Sequence, residues 1–245
     1  LARSIKDLEL ALKSMSKENY DDPWWTPLPF SLPMPEKKIA LLKKIEGLKI
    51  DPIISAELDL VAKRLEDSGW VIEEPKAPNF LEAAKFQATL WLGEFRRTGG
   101  EAITKENDPD SNFIYSQMSR RCPDTSLEKF MDSLQQRARI SREWNKFFDQ
   151  YPIILCPITG DVPFPDLKDL ESEESFDLVF DSMLPQIAPP YMGLPGLSFA
   201  TSQTKQKIPL GVQFISRKFR EDLLLNVGYD LENYYPKIEP VLPAF

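Results

Sequence analysis

Ile39-Ala40-Leu41-Leu42, Asp51-Pro52 and Ser68-Gly69-Trp70-Val71-Ile72 are the three pieces of sequence that decide the fold. The first is a short, wholly apolar run, the pattern of a buried strand. In the second, an aspartate can accept from an unpaired N–H at a helix start. The proline after it takes the first helical position, where no N–H is needed. Ile54, Leu58, Val61, Ala62 and Leu65 then recur at helical spacing on one face. Gly69 supplies the left-handed residue that stops such a helix, and Trp70-Val71-Ile72 reads as the next strand. Strand, helix and strand in this order predict parallel neighbours joined by a right-handed crossover.

Similar signals extend on both sides. Ser4, with Asp7 three residues on, caps a helix carrying Ile5, Leu8, Leu12 and Met15. Residues 21–36 hold Asp22-Pro23-Trp24-Trp25 and then Pro27, Pro29, Pro33 and Pro35, which predicts an extended surface crossing. Asn79 and Glu82 open a helix with Ala83, Ala84, Gln87, Leu90 and Trp91. Thr125-Ser126-Leu127-Glu128 opens a longer one whose apolar residues are Leu127, Phe130, Met131, Leu134, Ala138, Trp144 and Phe148. Residues 98–124 read as a polar loop with one helical turn around Tyr115, and residues 160–186 as a second, acidic one. Ile153-Ile154-Leu155-Cys156 is a strand ending at Pro157; Leu197-Ser198-Phe199-Ala200 and Gly211-Val212-Gln213-Phe214-Ile215 are two more. Glu221-Asp222 places negative charge at the start of a helix with Leu223, Leu224 and Val227. With no internal repeat and no linker, residues 1–245 read as a single α/β unit.

Composition removes whole classes of function. Lys and Arg number 30 against 38 Asp and Glu, a net charge of −8. Neutralising phosphates needs the opposite balance, so no nucleic-acid partner is expected. Histidine is absent, which excludes imidazole as base, metal ligand or pH switch within these residues. No run approaches the ~18 apolar residues of a membrane helix, so no membrane partner is expected. Residues 1–15 alternate charged and apolar side chains, unlike a secretory signal. Cys122 and Cys156 make neither a disulfide framework nor a CxxC site. The expected location is the reducing cytoplasm.

Candidate sites each have a plain alternative. Gly99-Gly100 lies in a polar stretch and Gly193-Leu194-Pro195-Gly196 carries a proline, so neither makes a phosphate cradle. Glu171, Glu173, Glu174 and Asp177 lack the ligand order of a calcium loop and read as a solvated charge run. No metal and no cofactor are expected. Trp24-Trp25 is either a recognition patch or a cover for a helix. Cys156 falls at the carboxyl end of a strand, where open α/β sheets place their ligands. It is either a pocket-lining residue or a core cysteine, without the basic neighbour that activates a thiol.

Several stretches together resemble the C-terminal part of the amidase signature family. Leu1-Ala2-Arg3-Ser4-Ile5-Lys6-Asp7 is similar to that family's GP-[LM]-A-R-[ST]-[VI]-x-D segment without its first two residues, and Asp22-Pro23-Trp24-Trp25 to the loop that follows. Leu65-Glu66-Asp67-Ser68-Gly69-Trp70-Val71-Ile72-Glu73-Glu74 resembles L-E-x-x-G-[HW]-x-V-x-E, and Leu155-Cys156-Pro157-Ile158-Thr159 the L-x-P-[TI] strand end. Last come Met192-Gly193-Leu194-Pro195-Gly196-Leu197-Ser198, Ile208-Pro209-Leu210-Gly211-Val212-Gln213-Phe214-Ile215-Ser216-Arg217 and Glu221-Asp222-Leu223-Leu224-Leu225. One departure is visible: the asparagine often found before Gly-Leu-Pro is replaced within Pro189-Pro190-Tyr191-Met192.

The resemblance implies a helix-flanked mixed sheet and a parent that hydrolyses amide C–N bonds through an acyl-enzyme. In the family a Ser-(cis)Ser-Lys triad does this work, and it lies N-terminal to the segment at residue 1. No catalytic residue is therefore assigned to this chain, which is expected to be inactive alone. Cys156, Pro157, Ile158 and Thr159 are expected on one side of the substrate pocket, with Tyr191, Met192, Gly193 and Leu194 opposite. The implied partners are a small amide substrate and an N-terminal portion of the same protein. Without that portion, self-association is expected near Ile5, Leu8 and Leu12 and at the strand beginning at Leu197. The alternative is a non-catalytic scaffold, or a subunit resembling the amidotransferases that amidate charged tRNA.

Overall fold

Asp51 caps its helix as the sequence requires, its Oδ1 accepting from the Ile53 N–H at 2.7 Å. In the computed structural model, which describes residues 1–235, that helix, α2 (Pro52–Asp67), joins β1 (Lys38–Leu41) to β2 (Val71–Glu73). Gly69 turns the chain at φ +85°. The two strands are parallel, Lys38 opposite Val71 and Ala40 opposite Glu73. On the other side of β1 lies β3 (Ile153–Pro157), also parallel. Two antiparallel strands complete the five-stranded sheet, β5 (Pro209–Ser216) beside β3 and β4 (Gly196–Gln203) beside β5, in the order β2-β1-β3-β5-β4. The expected α/β fold with a mixed, helix-flanked sheet is observed; residues 236–245 of the expected unit lie outside the described residues.

Alternation along the strands sorts the core into two layers. Ile153 and Leu155 of β3, with Ile39 and Leu41 of β1, pack against α2 and α9 (Glu221–Glu232). Ile154, Cys156 and Ala40 face the other way, onto α3 (Phe80–Thr98), α6 (Leu127–Gln150) and α8 (Leu184–Met192). α1 (Ile5–Met15) lies outside α9, with Ile5 buried so closely that a Cβ on Gly228 would sit 2.6 Å from its Cδ1. Leu8 and Leu12 pack against the same core. The α1 face expected to be open for self-association is thus covered by the chain's own residues.

Residues 21–36 cross the surface without helix or strand. The Leu32 N–H donates to Asp222 Oδ2 at 3.2 Å and Arg220 Nη2 to the Pro33 carbonyl at 3.3 Å. The indole N–H of Trp25 donates to the Ser16 carbonyl at the end of α1, whereas Trp24 projects into solvent.

Two expected loops are helical. Across residues 98–124, α3 runs on to Thr98, and α4 (Gly100–Glu106) and α5 (Pro109–Arg121) follow. Asp108-Pro109 repeats the device of Asp51-Pro52, with Asp108 Oδ1 accepting from the Ser111 N–H at 2.8 Å. No residue of α5 is buried, so no apolar period announces it. Across residues 160–186 lie a 3-10 turn (Lys168–Leu170), α7 (Glu173–Ser182) and the start of α8. Ser172 Oγ accepts from the Ser175 N–H at 3.1 Å, and Glu173 and Glu174 sit at the positive end of α7. The acidic run is a helix start. Arg120 and Arg121 of α5 reach across to Asp177 at 2.5 and 2.6 Å.

The apolar residues of α6 also divide differently from the expectation. Leu127, Met131 and Leu134 are exposed, Leu127 by 78%; Ile140, Trp144, Phe147 and Phe148 carry the buried face. Trp144 meets the Phe80 ring edge-on at 4.6 Å. In urea unfolding, Trp144→Ala is expected to cost about 3–5 kcal/mol and Leu127→Ala less than about 0.5 kcal/mol. Equal losses would contradict this division of the helix.

Candidate functional site

Because β1, β2 and β3 are parallel, their carboxyl ends open on one edge of the sheet, the position at which open α/β sheets bind ligands. A cavity of ≈ 970 Å³ lies there, walled by the segment after β1, the segment after β2 and Ser55 of α2. Its polar side chains include Lys43, Lys44, Glu46, Glu74, Lys76 and Asn79. Lys43 Nζ bridges Asp59 and Glu74, each at 2.8 Å, and so ties α2 to the segment after β2. Those two hydrogen bonds hold its pKa above the ordinary lysine value, which keeps it an ammonium. Asn79 Nδ2 donates to Glu46 Oε2 at 3.1 Å, while its Oδ1 caps α3 by accepting from the Glu82 N–H. Sequence reasoning read Asn79 only as a helix start and Glu74 only as part of a family segment, and missed Lys43 and the cavity they share. The one signal was a place in the segments that follow β1 and β2.

The end of β3 is fastened beside this cavity. The Gly160 carbonyl accepts from the Asp51 N–H at 2.8 Å, and the Gly160 N–H donates to the Ser182 carbonyl at 2.8 Å. A Cβ on Gly160 would run into the Lys49 carbonyl, so only glycine allows this approach. Thr159 Oγ1 donates to the Asp161 carbonyl at 2.7 Å, and the Ile158 carbonyl accepts from Gln186 Nε2 at 3.2 Å. Pro157 is buried opposite Val212. Cys156 is fully buried, with Gln213 Nε2 3.8 Å from its sulfur and donating to the Pro185 carbonyl at 3.0 Å. Burial pushes the thiol up to about 12, so it stays protonated and is no nucleophile near neutral pH.

The second group of expected pocket residues lies elsewhere. At the start of α8, Gln186 donates to the Ile158 carbonyl just after β3, and the Pro185 carbonyl accepts from Gln213, the β5 residue opposite Cys156. The helix then runs toward the other end of β3. There the Ser216 N–H, opposite Ile153, donates to the Pro195 carbonyl at 3.3 Å. Tyr191 is buried, stacked on Phe86 at 5.7 Å, and its hydroxyl donates to the Ser133 carbonyl. Met192 is buried, Gly193 closes α8 at φ +68°, and Leu194 packs half-buried on the same layer. Cys156, Tyr191, Met192 and Leu194 belong to one layer, but residues 156–159 and 191–194 lie toward opposite ends of β3 and do not face each other across a cleft.

Residues 1–225 match the Amidase family. The chain belongs to it. This amidase-family chain is 30% identical over 236 residues to the indoleacetamide hydrolase of Bradyrhizobium diazoefficiens, covering 95% of its own length and 45% of that protein. It is 32% identical over 230 residues to a glutamyl-tRNA(Gln) amidotransferase subunit of Desulforapulum autotrophicum, covering 84% and 46%. Its fold superposes on 6-aminohexanoate cyclic dimer hydrolase with a TM-score of 0.77 at 18% identity, covering 96% and 54%. The chain thus spans about half the length of the relatives it matches. Among the described residues, no helix is long and apolar enough to cross a membrane, and no group of three or more His, Cys, Asp or Glu could hold a metal ion.

The burial of Cys156 and the partial exposure of Cys122 make the thiols distinguishable. Native protein is expected to offer a water-soluble maleimide Cys122 alone, and both cysteines after unfolding without reductant. Rapid native labelling of Cys156, or a thiol lost to a disulfide, would contradict the arrangement.

Proposed function

We propose that this chain is the C-terminal portion of a cytoplasmic amidase that hydrolyses amide C–N bonds, supplying scaffold and part of the substrate pocket. The observation that carries the reading is the match of residues 1–225 to the Amidase family together with the half-length span of its relatives. In the resembled family the nucleophile is a serine activated through a second serine and a lysine, and backbone N–H groups hold the oxyanion. Preorganised donors of that kind are often the largest single contribution to such catalysis. We assign none of these groups to this chain. Its contribution in this reading is the carboxyl ends of β1, β2 and β3, where the segments around Lys43 and Glu74 line the cavity. Cys156 and Pro157 are buried behind it, and Ile158 and Thr159 are the pocket residues we retain from the end of β3.

The partners in this reading are a small amide and the N-terminal portion of the same protein. We assign that portion to the outer edge of β4, one of the two edge strands among the described residues, the other being β2. Without it, β4 would pair with a second copy. A second reading, a non-catalytic or amidotransferase-like subunit, draws on the 32% identity to an amidotransferase component.

Indoleacetamide and a panel of aromatic amides, with ammonia release and fluorophosphonate labelling as readouts, test both. The chain alone is expected to release no ammonia and take no label, and the intact protein carrying it to do both. Turnover by the chain alone, with a labelled serine in it, would overturn the division of labour. An intact protein inert to the whole panel would overturn the enzyme reading and favour the second.

A further inference from the structure

A second cavity, ≈ 470 Å³, lies between the end of α3, α4, α5 and the 3-10 turn, and shares no residue with the cleft at the strand ends. Its volume is that of a small-molecule site. The walls are chiefly apolar, among them Phe95, Ile103, Ile114 and Met118. The charged residues lining it are Asp110 and Asp169; no lysine or arginine joins them. Neither aspartate has an ion-pair partner among the described residues, although neighbouring acids such as Asp177 and Glu171 do. Leu167, also in the wall, is held in the left-handed region at φ +58°, with 58% of its surface exposed. That region is unfavourable for a leucine, whose Cβ crowds the following carbonyl oxygen. Backbone strain of this kind clusters at binding and switch sites. Here it keeps a large apolar side chain on the wall of the cavity rather than in the core.

An apolar cavity whose only ionic groups are two unpaired carboxylates is matched by a ligand with a hydrocarbon or aryl body and a cationic end. From this the geometry points to a binding site for a hydrophobic amine, taken up as its ammonium form, body against Phe95, Ile114 and Met118 and charge toward Asp110 and Asp169. The site is independent of amide hydrolysis.

Calorimetry with 4-phenylbutylamine and 4-phenylbutyrate on the unmodified full chain reads the charge selection directly, since the two probes share a body and differ in sign. The amine is expected to bind at millimolar concentration or tighter, and the carboxylate at least about tenfold more weakly, the scale of one hydrogen bond to a charged group. The double variant Asp110→Asn, Asp169→Asn is expected to lose that preference. Its fold is checked by an unchanged urea midpoint. Equal binding of the two probes, no binding of either, or a preference that survives the double variant would each overturn the assignment. Ammonia-release activity plays no part in the readout, so failure here leaves the amidase reading standing, and the reverse also holds.

Discussion

β3 is buried along its whole length, Ile153–Pro157, and the rest of the molecule is arranged by what that burial demands. A strand without access to water must pair on both edges and pack on both faces, because every unpaired backbone group there would be costly. β1 satisfies one edge in parallel and β5 the other in antiparallel. Alternate side chains then sort the helices: Ile153 and Leu155 hold α2 and α9, Ile154 and Cys156 hold α3, α6 and α8. The parallel side brings three carboxyl ends together and makes the cleft. On the antiparallel side, the sheet ends at β4 among the described residues.

A second region is held by different forces. α5 buries no residue, and only Ser175, Phe176 and Ser182 of α7 are buried. Their order rests on caps, Asp108 and Ser172, and on Arg120 and Arg121 reaching Glu173, Asp177 and Asp181. Partly exposed ion pairs are each worth roughly 0–1 kcal/mol, so this layer opens more readily than the sheet. The smaller cavity adjoins this layer, lined by α5 and the 3-10 turn together with the end of α3 and α4.

The strand–helix–strand unit from Ile39 to Ile72 was legible because local signals and burial agree there: Asp51-Pro52 starts the helix, Gly69 stops it, and its apolar face meets β3 and β5. At Asp108-Pro109 the same start signal stands in the sequence, but no buried face follows it, so polar composition reads as loop. α8 is hidden by its own prolines. Pro185 fits the first turn, whereas Pro189 and Pro190 lie inside the helix, where sequence rules place a break. A chain broken there would leave residues 191–194 free to face residues 156–159; the continuous helix carries them to the other end of β3. The position of Cys156 at a strand end could be read, but its surroundings could not. Gln213 reaches it from β5, and is itself held by the Pro185 carbonyl from another part of the chain. The meeting of Lys43, Glu74 and Asn79 escaped for a related reason: it depends on β1 and β2 being adjacent, in register and parallel.

Native-state hydrogen exchange on the full chain, followed residue by residue in low urea, measures whether a sheet centred on β3 supports everything else. Amides of β3 and β5 are expected to exchange last and only through global unfolding, with a steep dependence on urea, while those of α4, α5 and α7 exchange through local opening that urea hardly affects. Amides of β3 exchanging as fast as those of α5, with the same shallow dependence, would contradict it.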